Sequence, residues 1–98
     1  YVLPVSSSPE IHDDEAEAWL TPNSHYDLAL LRYLYQTLIR FAGELGECPK
    51  KEWEEILSHL SEFSVNERGV LMLSPDESLE ESHRHLSNAL AICPLHLY

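Results

Sequence analysis

Two short stretches concentrate the side chains able to move protons or grip a polar ligand. The first is Ser7-Ser8-Pro9-Glu10. A glutamate directly after a proline sits on a stiffened backbone, because the ring fixes φ. In a loop ahead of a helix it is placed to project into a cleft. A carboxyl of this kind, its pKa raised by burial, protonates the departing oxygen in glycoside hydrolysis. The competing reading is a solvated loop glutamate, the ordinary condition of that residue type. The second stretch is Glu80-Glu81-Ser82-His83-Arg84-His85-Leu86-Ser87. His83 and His85, at i and i+2, point the same way in an extended segment. They could hold a metal, a substrate hydroxyl or a neighbouring carboxylate, or serve only as hydrogen-bonded loop residues. A zinc site needs about four ligands. Cys93, His96 and His12 are the further candidates, but no spacing among them matches a zinc module, and the expectation is no metal and no cofactor. Trp19, close in sequence to Glu10, reads as core, as pocket wall or as an aromatic face for a sugar.

The elements that must position these residues are helical. Thr21-Pro22-Asn23-Ser24 is a helix-start cluster, and Ser24 and Asp27 are spaced like a short-armed capping box. Leu28, Leu31, Tyr35, Leu38, Ala42 and Leu45 recur in steps of three and four, which predicts a helix over 25–45. Leu30, Leu34 and Phe41 widen its apolar surface, so the helix expects neighbours on two sides. Gly46 is placed to end it in a left-handed cap. Pro49 suits a first helical position, and Trp53, Ile56, Leu57 and Leu60 share one face, predicting a second helix over 49–61. The short connection makes the two an antiparallel hairpin. Asn66-Glu67-Arg68-Gly69 reads as a turn between apolar arms. A third helical segment is expected from Leu86 or Ser87, stopping before Pro94. A hairpin and a half helix cannot cover their own apolar faces, which implies further chain around them.

Composition narrows the partners. The 98 residues suffice for one small domain at most, and a hydrophobic fraction of 44% excludes a disordered acidic tail. Seventeen Asp and Glu against six Lys and Arg give a formal net charge of −11. That balance argues against nucleic acid, whose phosphates need cations, and against an anionic membrane surface. Both ends, Tyr1-Val2-Leu3-Pro4-Val5 and Cys93-Pro94-Leu95-His96-Leu97-Tyr98, are apolar. Natural termini are usually polar, so residues 1–98 are expected to be an internal piece of a larger chain.

Taken in order, the motifs resemble glycoside hydrolase family 95, the α-L-fucosidase family. Ser7-Ser8-Pro9-Glu10 resembles its Ser-Pro-Glu motif, and Asn23-Ser24-His25-Tyr26-Asp27 the start of the helix that follows. Gly69-Val70-Leu71-Met72-Leu73 falls where the family has a Gly-led segment. His83-Arg84-His85-Leu86-Ser87 resembles its His-Arg-His-x-Ser stretch, the most specific of these, and Ala91-Ile92-Cys93-Pro94 its closing proline. Ile11, Asn88 and Leu95 depart from the usual Asn, His and Gly, as in a divergent branch. The resemblance implies a mainly α fold, a segment of an (α/α)₆ barrel: a helical hairpin, extended loops and a short third helix. It implies an inverting glycosidase acting on terminal sugars, with Glu10 at the general acid position and His83 and His85 in the loop that lines the sugar pocket. Water activation would rest on residues outside this segment. Expected partners are a carbohydrate substrate and the remainder of the barrel. The rival readings are a non-catalytic acidic helical interaction module and a small zinc-binding domain.

Overall fold

The computed structural model describes residues 1–7, 16, 19–79 and 86–97. Among these the regular structure is helical: α1, His25–Glu44, then α2, Lys51–His59, then a single 3₁₀ turn, Ser87–Ala89. Extended segments among the described residues meet only at isolated antiparallel bridges, Ser6 with Leu20, Val65 with Leu71 and Ser74 with Glu77.

Both ends of α1 follow from local chemistry. Ser24 is the N-cap; its Oγ accepts the N–H of Asp27 at 3.4 Å and donates to the Asp27 carboxylate at 3.0 Å. The Asp27 charge also suits the positive end of the helix dipole. At the other end Gly46 adopts φ +74°. Its N–H reaches the Gly43 carbonyl at 3.1 Å, and the Glu47 N–H reaches that of Ala42 at 2.8 Å. This is the paired bond pattern of a Schellman cap, which a glycine makes without Cβ strain. His25, Leu28, Ala29 and Ala42 are buried, and Leu31, Tyr35 and Leu38 half-buried, so the predicted stripe faces inward. Leu45 departs from it; as the C-cap it is exposed. Leu30, Leu34 and Phe41 on the widened face are exposed as well.

The second helix starts later than its proline suggested. Lys50 is the N-cap, in an extended conformation and with no side-chain cap bond, so Pro49 stands before the cap rather than at the first helical position. At its far end Leu60 is again extended, and its buried side chain leaves the helix for the core. α2 packs on α1, with Trp53, Ile56 and Leu57 half-buried and Lys51, Glu52, Glu54 and Glu55 exposed. Arg32 of α1 donates to the Ser61 carbonyl at 2.9 Å. This bond ties the first half of α1 to the chain just beyond α2, as an antiparallel hairpin requires.

The third helical segment is shorter than expected. Ser87–Ala89 forms one 3₁₀ turn, and the chain continues in turns to Leu95. Only the Cys93 N–H closes a full α-type bond, to the Ala89 carbonyl at 3.0 Å, before Pro94 removes the next donor. So short a run does not offset the cost of helix nucleation. Beneath these elements Leu20 and Leu73 form a buried pair with Leu79 packed against it. Among the described residues no helix is long and apolar enough to cross a membrane.

Candidate active site

The segment that carries Glu10 is closed at its base. Asn23 holds a left-handed φ of 68°, a conformation that asparagine tolerates. From there its Oδ1 accepts the Leu3 N–H at 2.8 Å, fixing the N-terminal arm beside the start of α1. Three residues on, the Ser6 carbonyl accepts the Leu20 N–H at 2.6 Å. The chain therefore departs at Ser6 and returns at Leu20 side by side.

The described chain up to Leu79, just before the stretch that carries His83 and His85, belongs to the same base. Leu20 packs with Leu73 and Leu79, the last described residue before residues 80–85. Asp76 fastens the two strands of chain together. Its Oδ1 accepts from Thr21 Oγ1 at 2.7 Å and from Ser74 Oγ at 3.0 Å. These bonds, that from Thr21 foremost, hold its carboxyl below the usual range despite an opposing contribution from burial. Ser74 is itself buried, and the Leu73 and Ser74 N–H groups both reach the Glu77 carbonyl, at 2.8 and 3.2 Å.

Where the chain resumes after residue 85, two bonds fix it to the hairpin. Asn88 donates to the Leu71 carbonyl at 2.9 Å, and the Ala91 N–H donates to His25 Nε2 at 3.1 Å. His25 is only 1% exposed. Its backbone N–H binds the Leu73 carbonyl at 2.9 Å, and its ring stacks on Phe63 with centroids 4.5 Å apart. Burial pushes its pKa down to about 4, so near neutral pH the ring is uncharged. An Nε2 that accepts places the proton on Nδ1, which is buried without a partner among the described residues. One histidine thus joins the start of α1, the arm at Leu73 and the chain leaving the His83–His85 segment.

Of the residues expected to form the site, Glu10, His83 and His85 lie outside the described residues. Trp19 is described and is 65% exposed, so it is not core; its N–H bonds to the Ala16 carbonyl at 3.2 Å. Trp53 lies half-buried on α2 with the Lys50 ammonium 5.9 Å from its ring. Cys93 and His96, the further zinc candidates that are described, are exposed. Among the described residues no group of three His, Cys, Asp or Glu could hold a metal ion. The sequence set His25 within the helix-start stretch Asn23 to Asp27, without a partner for its ring, and did not single out Asp76. The signal for His25 was its spacing of three and four to Leu28 and Ala29, which continues the α1 stripe backwards. For Asp76 it was the Ser74-Pro75-Asp76 turn.

A helical hairpin with a buried base at Leu20, Leu73 and Leu79, in a chain whose Glu10, His83 and His85 stretches adjoin that base in sequence, fits one family of enzymes. The family model described as the glycosyl hydrolase family 95 catalytic domain matches residues 1–98. The chain belongs to glycosyl hydrolase family 95. Its catalytic domain is an α/α barrel, and the helical hairpin described above is a segment of that barrel. Membership makes the activity that of a glycoside hydrolase and its substrate a carbohydrate. No curated protein and no solved structure matches the chain.

Proposed function

We propose that this family 95 segment carries the acid half of an inverting, α-L-fucosidase-like glycosidase, as one part of a larger catalytic domain. In this reading Glu10 is the general acid, and His83, His85 and Trp19 contact the terminal sugar. The supporting observation is structural convergence at the base. The Glu10 segment closes at Ser6 and Leu20, the histidine segment begins at Leu79, and Leu20 and Leu79 belong to one buried cluster. Segments of separate sequence thus share one foundation, which suits groups that must act on the same sugar. The exposed ring of Trp19, one residue before that foundation, is free to offer a face to a pyranose. Family membership favours this reading over the acidic interaction module.

The chemistry assigned to Glu10 is protonation of the glycosidic oxygen as the bond to the anomeric carbon breaks. An inverting enzyme activates a water on the opposite face of the sugar, with a second group about 6.5–9.5 Å from the acid. That group belongs to another part of the domain. In the full-length protein, Glu10→Gln is expected to cut turnover on a natural glycoside by about 10²–10⁴. The loss should shrink on a fluoride or activated aryl glycoside, whose leaving group needs little protonation. Near-full activity of Glu10→Gln on the natural substrate would assign the role to a different carboxylate.

A further inference from the structure

The hairpin over residues 65–71 is built more firmly than a passive connection requires. Its turn is closed by the Asn66 N–H to the Val70 carbonyl and by the Gly69 N–H to the Asn66 carbonyl, each at 2.9 Å. Asn66 Oδ1 accepts a further pair, the N–H groups of Arg68 at 2.9 Å and Val70 at 3.0 Å. Gly69 supplies the left-handed φ of +77° that the turn needs. The result fixes Glu67 and Arg68 at the tip. Neither side chain makes a hydrogen bond or ion pair with another described residue, so both are available to a ligand.

Beside this tip lies an open depression of about 640 Å³, within the range of about 300–1,000 Å³ typical of small-molecule sites. Polar Asn66, Glu67, Arg68 and Ser78 line it together with aliphatic Val70, Leu71 and Leu79. Two of the aliphatic lining residues tie it to the candidate active site. Leu79 immediately precedes residues 80–85 and packs on the Leu20–Leu73 base, and Leu71 accepts the Asn88 bond that fixes the chain after them.

We propose that this depression is the subsite for the leaving-group sugar of a neutral oligosaccharide, with Arg68 and Glu67 as its polar contacts. A pyranose offers an apolar C–H face for the aliphatic side chains and a rim of hydroxyls for the polar ones. The guanidinium can donate to two adjacent hydroxyl oxygens, and the carboxylate can accept from hydroxyls. The two charges at the tip cancel locally, which suits an uncharged ligand. The assignment rests on the glycosidase reading above and adds to it where the second sugar binds.

The test is a specificity ratio in the complete enzyme. kcat/KM is measured on an oligosaccharide and on an aryl glycoside that has the same terminal sugar but no second one. For Arg68→Ala the ratio of oligosaccharide to aryl values should fall about tenfold, the lower end expected for losing a charged hydrogen bond. The fall should lie mainly in KM. Glu67→Gln should lower the ratio less, and Arg68→Lys should restore part of it. Glu54→Gln, on the exposed face of α2, serves as the control and should leave the ratio unchanged. An unchanged ratio in Arg68→Ala, with the parent active on both substrates, overturns the subsite alone. A parent inactive on every glycoside overturns the glycosidase reading and the subsite with it.

Discussion

At the scale of single residues, His25 carries the largest consequence. Its ring replaces an apolar side chain in the core, yet its Nε2 accepts the Ala91 N–H at 3.1 Å. Removing it opens a cavity against Phe63 and leaves that N–H unpaired. His25→Ala should therefore cost about 2–4 kcal/mol, read from denaturant unfolding of the full-length protein. Its titration sets a pH dependence of definite sign. Burial lowers the folded pKa from 6.5 to about 4. Between those values the unfolded state binds the proton and the folded state does not, so stability rises with pH. The contribution is complete above the unfolded value, is lost as pH falls through the window, and is gone below about 4. The groups that meet the ring are Phe63 and the Ala91 N–H; the nearest charge described is the Arg32 guanidinium, 5.4 Å from the Phe63 ring on which His25 stacks. Stability curves for the parent and His25→Ala should converge below that window, and parallel curves would refute the account. Asp76 acts in the same direction at lower pH. Its carboxyl is held down by Thr21 and Ser74, so the clamp is present above the ordinary carboxylate range and fails as pH drops through its folded value. A histidine directly after a capping serine is read first as part of the cap. Which carbonyl or amide it meets depends on residues 66 positions away, beyond the reach of local spacing.

At the scale of elements, two glycines of the same helix end make opposite predictions. Gly43 lies inside α1, and Gly46 beyond it at φ +74°. A Cβ at either would meet nothing within 4 Å, so sterics with neighbours cancel and only backbone conformation remains. Gly43→Ala should stabilise by about 0.5–1 kcal/mol, by restricting the unfolded chain and restoring helix propensity. Gly46→Ala should destabilise by about 1 kcal/mol, because the left-handed cap strains an L side chain. Unfolding of both variants checks this, and shifts of the same sign would show that the cap does not hold the helix end. The limits of α1 were legible because Ser24 and Gly46 act within one turn of themselves. α2 was less so: Pro49 permits a helix start without enforcing it, and Lys50 brings no capping oxygen, so the start slipped to Lys51. The third segment starts at Ser87 as its sequence suggests but stays a single 3₁₀ turn, because Pro94 leaves too few residues to propagate an α-helix. The histidine-bearing segment was recognisable by its motif, whereas the Thr21–Asp76 clamp joins positions no periodicity links.

At the scale of the whole molecule, the apolar surface left open is large for the core that holds it. Among the described residues eight hydrophobic ones are buried, Leu20, Leu28, Ala29, Ala42, Leu60, Leu71, Leu73 and Ala91, and three of those are alanines. Against them Leu30, Tyr33, Leu34, Phe41 and Leu45 stand exposed along α1, with Val65, Val70, Leu86 and Ile92 beyond. Residues 30, 34 and 41 follow one another at helical spacing, so they form a continuous stripe rather than scattered singles. In an α/α barrel each helix is flanked by others, and such a stripe is the surface by which this hairpin joins its neighbours. Residues 1–98 produced alone should therefore associate as concentration rises and bind a hydrophobic dye. Any thermal transition should be broad, since small chains bury a limited share of their surface. Light scattering and circular dichroism across a concentration series would measure this. Introducing charge into the stripe, as Leu34→Glu with Phe41→Glu, should suppress association of the isolated segment while impairing the folding of the complete barrel. That opposite pair of effects separates a packing face from an ordinary sticky surface. A monomeric, cooperative melt above about 60 °C, the upper range for ordinary domains, would mean that the hairpin needs no neighbours and that its exposed stripe has another use.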